Sequence, residues 1–174
     1  MNKRILYRDK WITIEEETEL VRGRKVKVGR YIQPDAVVVL PVLDDGRFLM
    51  ESQYRHAIKR QVLEFPGGMV QKGESPLSAA RRELWEETGY VARHTRLMFW
   101  NYLSMLNTRR FYYFYATGLN KSRDIHLDDT EIIRLLKVRP EKLEATIVKG
   151  RAKNTTTALG YLYYRDYVAK GMIE

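Results

Sequence analysis

The chain has 174 residues, 44% hydrophobic and 30% charged, which suits one globular domain with a core of its own and excludes a disordered chain. With no cysteine it can have no disulfide, thiolate zinc site or cysteine nucleophile, and a reducing, cytoplasmic setting is expected. No apolar run is long enough to cross a bilayer and the start, MNKRILYRDKWITIEEE, is no signal peptide, while the net charge of +9 fits nucleic-acid binding, attraction of small polyphosphates or a plain basic surface.

Residues 4–32 alternate apolar and polar side chains, as in WITIEEETEL and KVKVGRYI around an RGR turn, and predict two or three antiparallel strands. DAVVVLPVL predicts a fully buried strand over 36–43. DDGR is a hairpin turn, and RFLMESQYR is the returning strand. FPGGMVQKGESP is loop by its glycine and proline content. A helix follows, with Ser75 as N-cap, Pro76 at its first position and Gly89 at its end. Its apolar face is read as Leu77, Ala80 and Leu84, with Trp85 at the margin. Aromatic-rich strands are expected over 94–103 and 110–117, and IIRLLKV makes another. Pro140 opens a short helix, and NTTTALGYLYYRDYVAK makes a C-terminal helix capped by Asn154 or Thr155. Strands, one early helix, more strands and terminal helices predict an α/β fold, an α/β/α sandwich around a mixed sheet.

The candidate chemistry lies in GGMVQKGESPLSAARRELWEETGY. Glu83, Glu86 and Glu87 stand at i, i+3 and i+4 and share one helix face. Three like charges there repel one another unless a cation neutralises them. Arg82 can contribute, and a divalent ion does so more fully. Carboxylate oxygens are hard ligands, which points to Mg²⁺ or Mn²⁺ with positions left for substrate phosphates. Gly67 and Gly68 allow close backbone approach, so the Gly67 carbonyl is a further candidate ligand. Taken alone, three glutamates would more often be a solvated acidic helix face.

The neighbours change that reading. From Gly68 the sequence runs Gly, five residues, Glu74, seven residues, then Arg82-Glu83-Leu84-Trp85-Glu86-Glu87-Thr88-Gly89-Tyr90. This resembles the Nudix box of the Nudix hydrolases at all seven fixed positions, with an aromatic Tyr90 where a bulky aliphatic residue is usual. The resemblance implies a Nudix-type sandwich with a small N-terminal antiparallel sheet, divided as an N-terminal β subdomain over 1–33 and a catalytic domain over 34–174. It implies hydrolysis of a nucleoside diphosphate linked to another group, with Mg²⁺ as cofactor and Mn²⁺ as a substitute. It assigns Gly67, Glu83, Glu86 and Glu87 to the metal and Arg82 to orienting the glutamates. Glu74 would fix the loop. The family's general base often lies on a later loop; Glu131 is the candidate here, with Asp128 and Asp129 as rivals.

Upstream, ESQYRHAIKRQVLEFPGG resembles the same region of ADP-ribose and nucleoside-diphosphate-sugar pyrophosphatases. That implies Arg55 as a phosphate contact, Glu64 as a hydroxyl or metal-network contact, Tyr31 as a stacking partner for a base, and a homodimer formed through the N-terminal sheet. Two departures broaden the substrate beyond ADP-ribose. Pro66-Gly67-Gly68 stands where Pro-Ala-Gly is common, and Met105 and Leu106 stand where that subgroup carries a proline. Two competing functions are an RNA 5′-pyrophosphohydrolase or dinucleoside polyphosphate hydrolase, and a non-catalytic nucleotide-sensing module. The first gains from basic residues interleaved with aromatics such as Trp100 and Tyr112, although nucleic acid is not the favoured partner. The second is disfavoured because no box glutamate is missing.

Overall fold

The computed structural model describes residues 3–122 and 132–173. Three strands, β1 (Lys3–Arg8), β2 (Thr13–Val21) and β3 (Arg24–Ile32), form an antiparallel sheet of their own. The expected RGR turn joins β2 to β3, with Arg22 at φ 49° and Gly23 at φ 76°, the backbone of a tight hairpin. Glu15 and Glu17 are buried on one face because Arg30 pairs with both and Lys3 lies within 3.8 Å of each.

β4 (Ala36–Pro41) runs parallel to β8 (Arg110–Lys121), and β8 runs antiparallel to β7 (Tyr90–Tyr102), which gives the mixed sheet. Every residue of β4 is buried, as a strand covered on both faces must be. Val37 and Val39 join Phe114 and Ala116 beneath α1 (Pro76–Thr88). Val38 and Leu40 join Tyr113 and Tyr115 on the other face. That second face is closed by α2 (Pro140–Val148), through Leu143, and by α3 (Thr155–Ala169), through Tyr161. The two-residue period of β4 thus sorts its side chains into the two cores of a sandwich.

A third sheet centres on β5 (Phe48–Arg55), antiparallel both to β6 (Arg60–Glu64) and to β9 (Ile133–Val138). β6 was not expected, since RQVLE is short and lies among polar residues; it forms because it pairs along β5 and buries Val62 and Glu64. β7 and β8 also run longer than their aromatic segments alone predict.

The helix α1 has the expected ends. Ser75 accepts a bond from the Ser78 N–H at 3.1 Å, and Gly89 closes the helix in the left-handed conformation at φ 71°. Its buried face needs correction. Leu77 is 36% exposed, whereas Ala79, Ala80, Glu83, Leu84, Glu87 and Thr88 are buried. Alanines allow the helix to approach β4 closely, and the two glutamates turn inward beside them. Among the described residues no helix is long and apolar enough to cross a membrane.

Of the two candidate caps of α3, Asn154 holds the place: its Oδ1 accepts from Thr156 at 2.8 Å and from Thr157 at 3.4 Å. Asn154→Ala is expected to lower stability by about 1 kcal/mol in chemical denaturation, whereas Thr155→Ala should stay within about 0.5 kcal/mol of wild type. Equal losses in the two variants would refute the cap assignment.

Candidate functional site

The site is built where the glycine-rich loop meets the free edge of β4. The Val37 N–H donates to the Gly68 carbonyl at 2.9 Å and the Val39 N–H to the Pro66 carbonyl at 2.8 Å. Only glycine fits between these bonds. A Cβ on Gly67 would lie 2.2 Å from the Val37 carbonyl oxygen, and one on Gly68 would lie 2.4 Å from Glu83 Oε1. The Gly67 N–H turns away from β4 and donates to Glu87 Oε2 at 2.7 Å.

Arg82 fastens the loop to the helix. Its Nε and Nη2 donate to the two oxygens of Glu74, each at 3.0 Å, and Nη2 also donates to the Met69 carbonyl at 2.9 Å. Its Nη1 donates to Glu83 Oε1 and Glu86 Oε2, both at 2.8 Å. All five guanidinium donors are engaged, a fork that lysine could not supply. The paired Glu74 carboxylate, with Glu86 and Glu83 after it, holds the guanidinium well above its ordinary pKa against the opposing effect of burial. Conversely, the hydrogen bonds from Arg82 hold the Glu74 carboxyl below the usual carboxylate range. Glu74 therefore stands where the sequence places it, as a loop fastener.

A second group of carboxylates adjoins the loop. Arg55 Nε donates to Glu64 Oε1 at 2.9 Å and Nη2 to Glu64 Oε2 at 2.5 Å. The two expected substrate contacts are thus joined to each other. Glu64 is 4% exposed, and its direct partner across the strand pair is Glu51, 1% exposed. The Arg55 pKa is raised first by the Glu64 hydrogen bonds, and the charges of Glu64, Glu87 and Glu51 add to that. One electrostatic cluster therefore links β5, β6 and α1. Sequence reading missed Glu51, although a glutamate inside the otherwise apolar start of FLMESQYR is an anomaly in a strand expected to be covered.

Tyr31 lies elsewhere. It is the penultimate residue of β3, is 40% exposed, and exchanges backbone bonds with the β7–β8 connection: its N–H donates to the Leu106 carbonyl at 2.8 Å and its carbonyl accepts from the Thr108 N–H at 2.9 Å. Glu131, Asp128 and Asp129 lie outside the described residues.

The donor set suits a hard divalent cation. Glu83 and Glu87 are 9% and 3% exposed, one helical turn apart, with the partly buried Glu86 beside them. Among the described residues no three carboxylate or imidazole groups already converge to hold an ion. Mg²⁺ does not require that, since it is commonly held by one or two carboxylates with waters and substrate phosphates completing the shell.

Comparison with known proteins agrees with this geometry. The NUDIX domain family model matches residues 32–158, most of the chain. The chain belongs to the Nudix family, whose members generally use divalent metal ions. It is 44% identical over 78 residues to the ADP-ribose pyrophosphatase of Bacillus subtilis (strain 168), covering 45% of this chain and 42% of that one. It is 33% identical over 101 residues to an ADP-sugar pyrophosphatase of Mus musculus, covering 51% and 46% of the two chains. The chain thus aligns with less than half the length of each. With the methanol dehydrogenase activator of Bacillus methanolicus the alignment is longer, 29% identity over 154 residues, 85% of this chain and 81% of that one. The solved structure of an ADP compounds hydrolase superposes with a TM-score of 0.86 over 99% of this chain and 95% of its own, at 19% identity, which shows the shared fold.

Two glycine substitutions separate folding from site geometry. Gly67→Ala drives a Cβ into the backbone of β4 and is expected to cost about 3 kcal/mol in denaturation. Gly68→Ala meets the end of a movable Glu83 side chain, so it should retain most of its stability while displacing that carboxylate. Equal stability of the two variants would refute this account. The Arg82–Glu74 pair gives a pH test. The folded-state pKa of Glu74 is depressed below its ordinary 4.5, so the stabilisation is complete above that value and disappears as pH falls through the folded pKa. The difference in melting temperature between wild type and Glu74→Gln should therefore be largest near neutral pH and shrink on acidification below 4.5.

Proposed function

We propose that the chain is a Mg²⁺-dependent pyrophosphohydrolase, with Mn²⁺ as a substitute, acting on ADP-ribose or a nucleoside diphosphate sugar. The observation that carries this reading is the pair of buried carboxylates, Glu83 and Glu87, set against the Gly67–Gly68 backbone at the end of a matching box helix. Glu83, Glu87, Glu86 and the Gly67 carbonyl would hold the metal, which when bound neutralises the diphosphate and makes water a stronger nucleophile. Arg82 keeps Glu83 and Glu86 oriented from the loop side. Glu131 is the proposed acceptor of the proton lost by the attacking water. Water adds to phosphorus, the P–O–P anhydride bond breaks, and the products are a nucleoside monophosphate and a sugar phosphate.

The substrate class is supported by the ADP-ribose and ADP-sugar pyrophosphatases among the relatives. Arg55 is the proposed phosphate contact, with Glu64 holding its guanidinium plane. Tyr31 is the proposed stacking residue. Residues 1–33 are the proposed dimerising subdomain; Ile5, Leu6 and Tyr7 are each about half exposed and Leu20 is 73% exposed, more apolar surface than a lone sheet ordinarily presents. The absence of cysteine supports a cytoplasmic location.

A second reading, an RNA 5′-pyrophosphohydrolase, draws on 50% identity over 44 residues to the RNA pyrophosphohydrolase of Bartonella bacilliformis, a match spanning 25% of this chain.

Product analysis with Mg²⁺ on ADP-ribose, several nucleotide sugars, a dinucleoside polyphosphate and a 5′-triphosphorylated RNA separates these readings. Release of a nucleoside monophosphate and a sugar phosphate is expected; turnover of only the RNA or the dinucleotide would overturn the substrate proposal. Glu87→Gln retains an oxygen for the Gly67 N–H, so its fold should persist while kcat falls by about 10³-fold. Near wild-type turnover in that variant would refute the metal assignment.

A further inference from the structure

A cleft of 870 Å³ opens at the other end of the central sheet. The Nudix loop crosses β4 at Val37 and Val39, whereas the cleft begins at Val42, beyond the last residue of that strand. It is lined by Arg81 from α1, by Arg93, His94 and Arg96 from β7, and by Asp44 from the β4–β5 turn. Arg81 is two positions before Glu83, which places it about 200° around the helix from that carboxylate. The cleft is therefore separate from the proposed metal site although both use α1.

Several features give this cleft a ligand character. His94 faces Thr117 and Arg96 faces Tyr115 across the β7–β8 ladder, so these side chains share one sheet face. Arg93 lies beside Gly118, which holds φ 64° within β8; a Cβ there would come 2.8 Å from the Arg93 Cβ. The glycine makes the space in which Arg93 lies, as strand glycines do where another group approaches closely. Among the described residues, none of Arg81, Arg93 and Arg96 forms an ion pair, unlike Arg30, Arg55, Arg82 and Arg110. Arg81 lines the cleft from the α1 side of the sheet and Arg96, with His94, from the α3 side beside Tyr115, so positive charge borders the space where β4 ends from both sides, and Asp44 is the carboxylate among its described lining residues; the space is of the size that holds a small ligand. Guanidinium groups pair bidentately with phosphate oxygens.

We infer that this cleft, lined by Arg81, Arg93, His94 and Arg96, is a second anion site that binds a small molecule carrying a chain of phosphates, separately from the metal-dependent hydrolytic site. It gives part of the +9 net charge a specific use. Its dimensions favour a compact polyphosphate, and its positive charges sit on two elements, α1 and β7, around one space rather than in a continuous stripe suited to a nucleic-acid strand.

The test is calorimetric titration of the full chain with inorganic tripolyphosphate in EDTA, where no divalent ion can carry the anion to the glutamates. Saturable binding of one equivalent is expected. Arg93→Gln/Arg96→Gln should weaken it about a hundredfold, and Arg81→Gln, on a different element, about tenfold. Glu83→Gln/Glu87→Gln should leave the affinity within about twofold of wild type, since these residues lie outside the cleft. The exposed arginine variants should retain the wild-type melting temperature and Mg²⁺-dependent turnover. Absence of metal-free binding, unchanged affinity in both arginine variants, or loss only in the glutamate variant would overturn the proposal. So would tight binding of a single-stranded oligonucleotide that tripolyphosphate does not displace.

Discussion

The constraint on which the site depends is the close passage of Pro66-Gly67-Gly68 along β4. Two backbone bonds, from Val37 and Val39, hold the loop against a strand whose six residues are all buried. The strand cannot retreat, because both its faces are filled, by α1 on one side and by α2 and α3 on the other. A side chain on Gly67 would collide with that fixed backbone. The glycines thus convert the rigidity of the core into a fixed position for the Gly67 N–H and for the carboxylates it meets. The same close fit explains why α1 presents Ala79 and Ala80 toward the sheet, with its glutamates directed at the glycine loop.

Burying carboxylates is costly unless each has a hydrogen-bonding or ionic counterpart. The chain meets this with two arginines acting on different groups. Arg82 spans loop and helix, and its five donors fix Glu74, Glu83 and Glu86 together with the Met69 carbonyl. Arg55 takes Glu64, in a neighbourhood whose other charges come from Glu87 and Glu51. Negative charge still outweighs positive between α1 and β5. That imbalance is unfavourable in the isolated fold, and a divalent cation held there as proposed would relieve it, so the arrangement that lowers stability would raise affinity for the ion.

The parts of this arrangement that were legible in the sequence are those fixed by local spacing. The shared face of Glu83, Glu86 and Glu87 follows from helical periodicity, and Ser75, Pro76 and Gly89 mark the ends of that helix by backbone chemistry. The loop's glycines announce a close approach without saying to what. Sequence could not show that Leu77 is exposed, because the choice between Leu77 and Ala79 as inward residues depends on how near β4 lies. Nor could it show β6, whose existence rests on pairing with β5 rather than on the propensity of RQVLE. Glu51 escaped for a related reason: its importance comes from facing Glu64 across a strand pair, a relation between residues 13 positions apart that no local pattern records.

Arg55, the proposed phosphate contact, is held in the same way. From sequence it is a positive charge near a glycine-rich loop, available to a phosphate. In the fold it is already engaged bidentately by Glu64, so it enters any complex with its guanidinium plane set rather than free to search. Pairing lowers the net charge it offers a phosphate but removes most of the rotamer entropy that an unrestrained arginine would lose on binding. Its remaining N–H groups then define one direction of approach. The carboxylate that would compete with a diphosphate for Arg55 therefore also sets the orientation in which the proposed substrate would meet Arg55 beside α1.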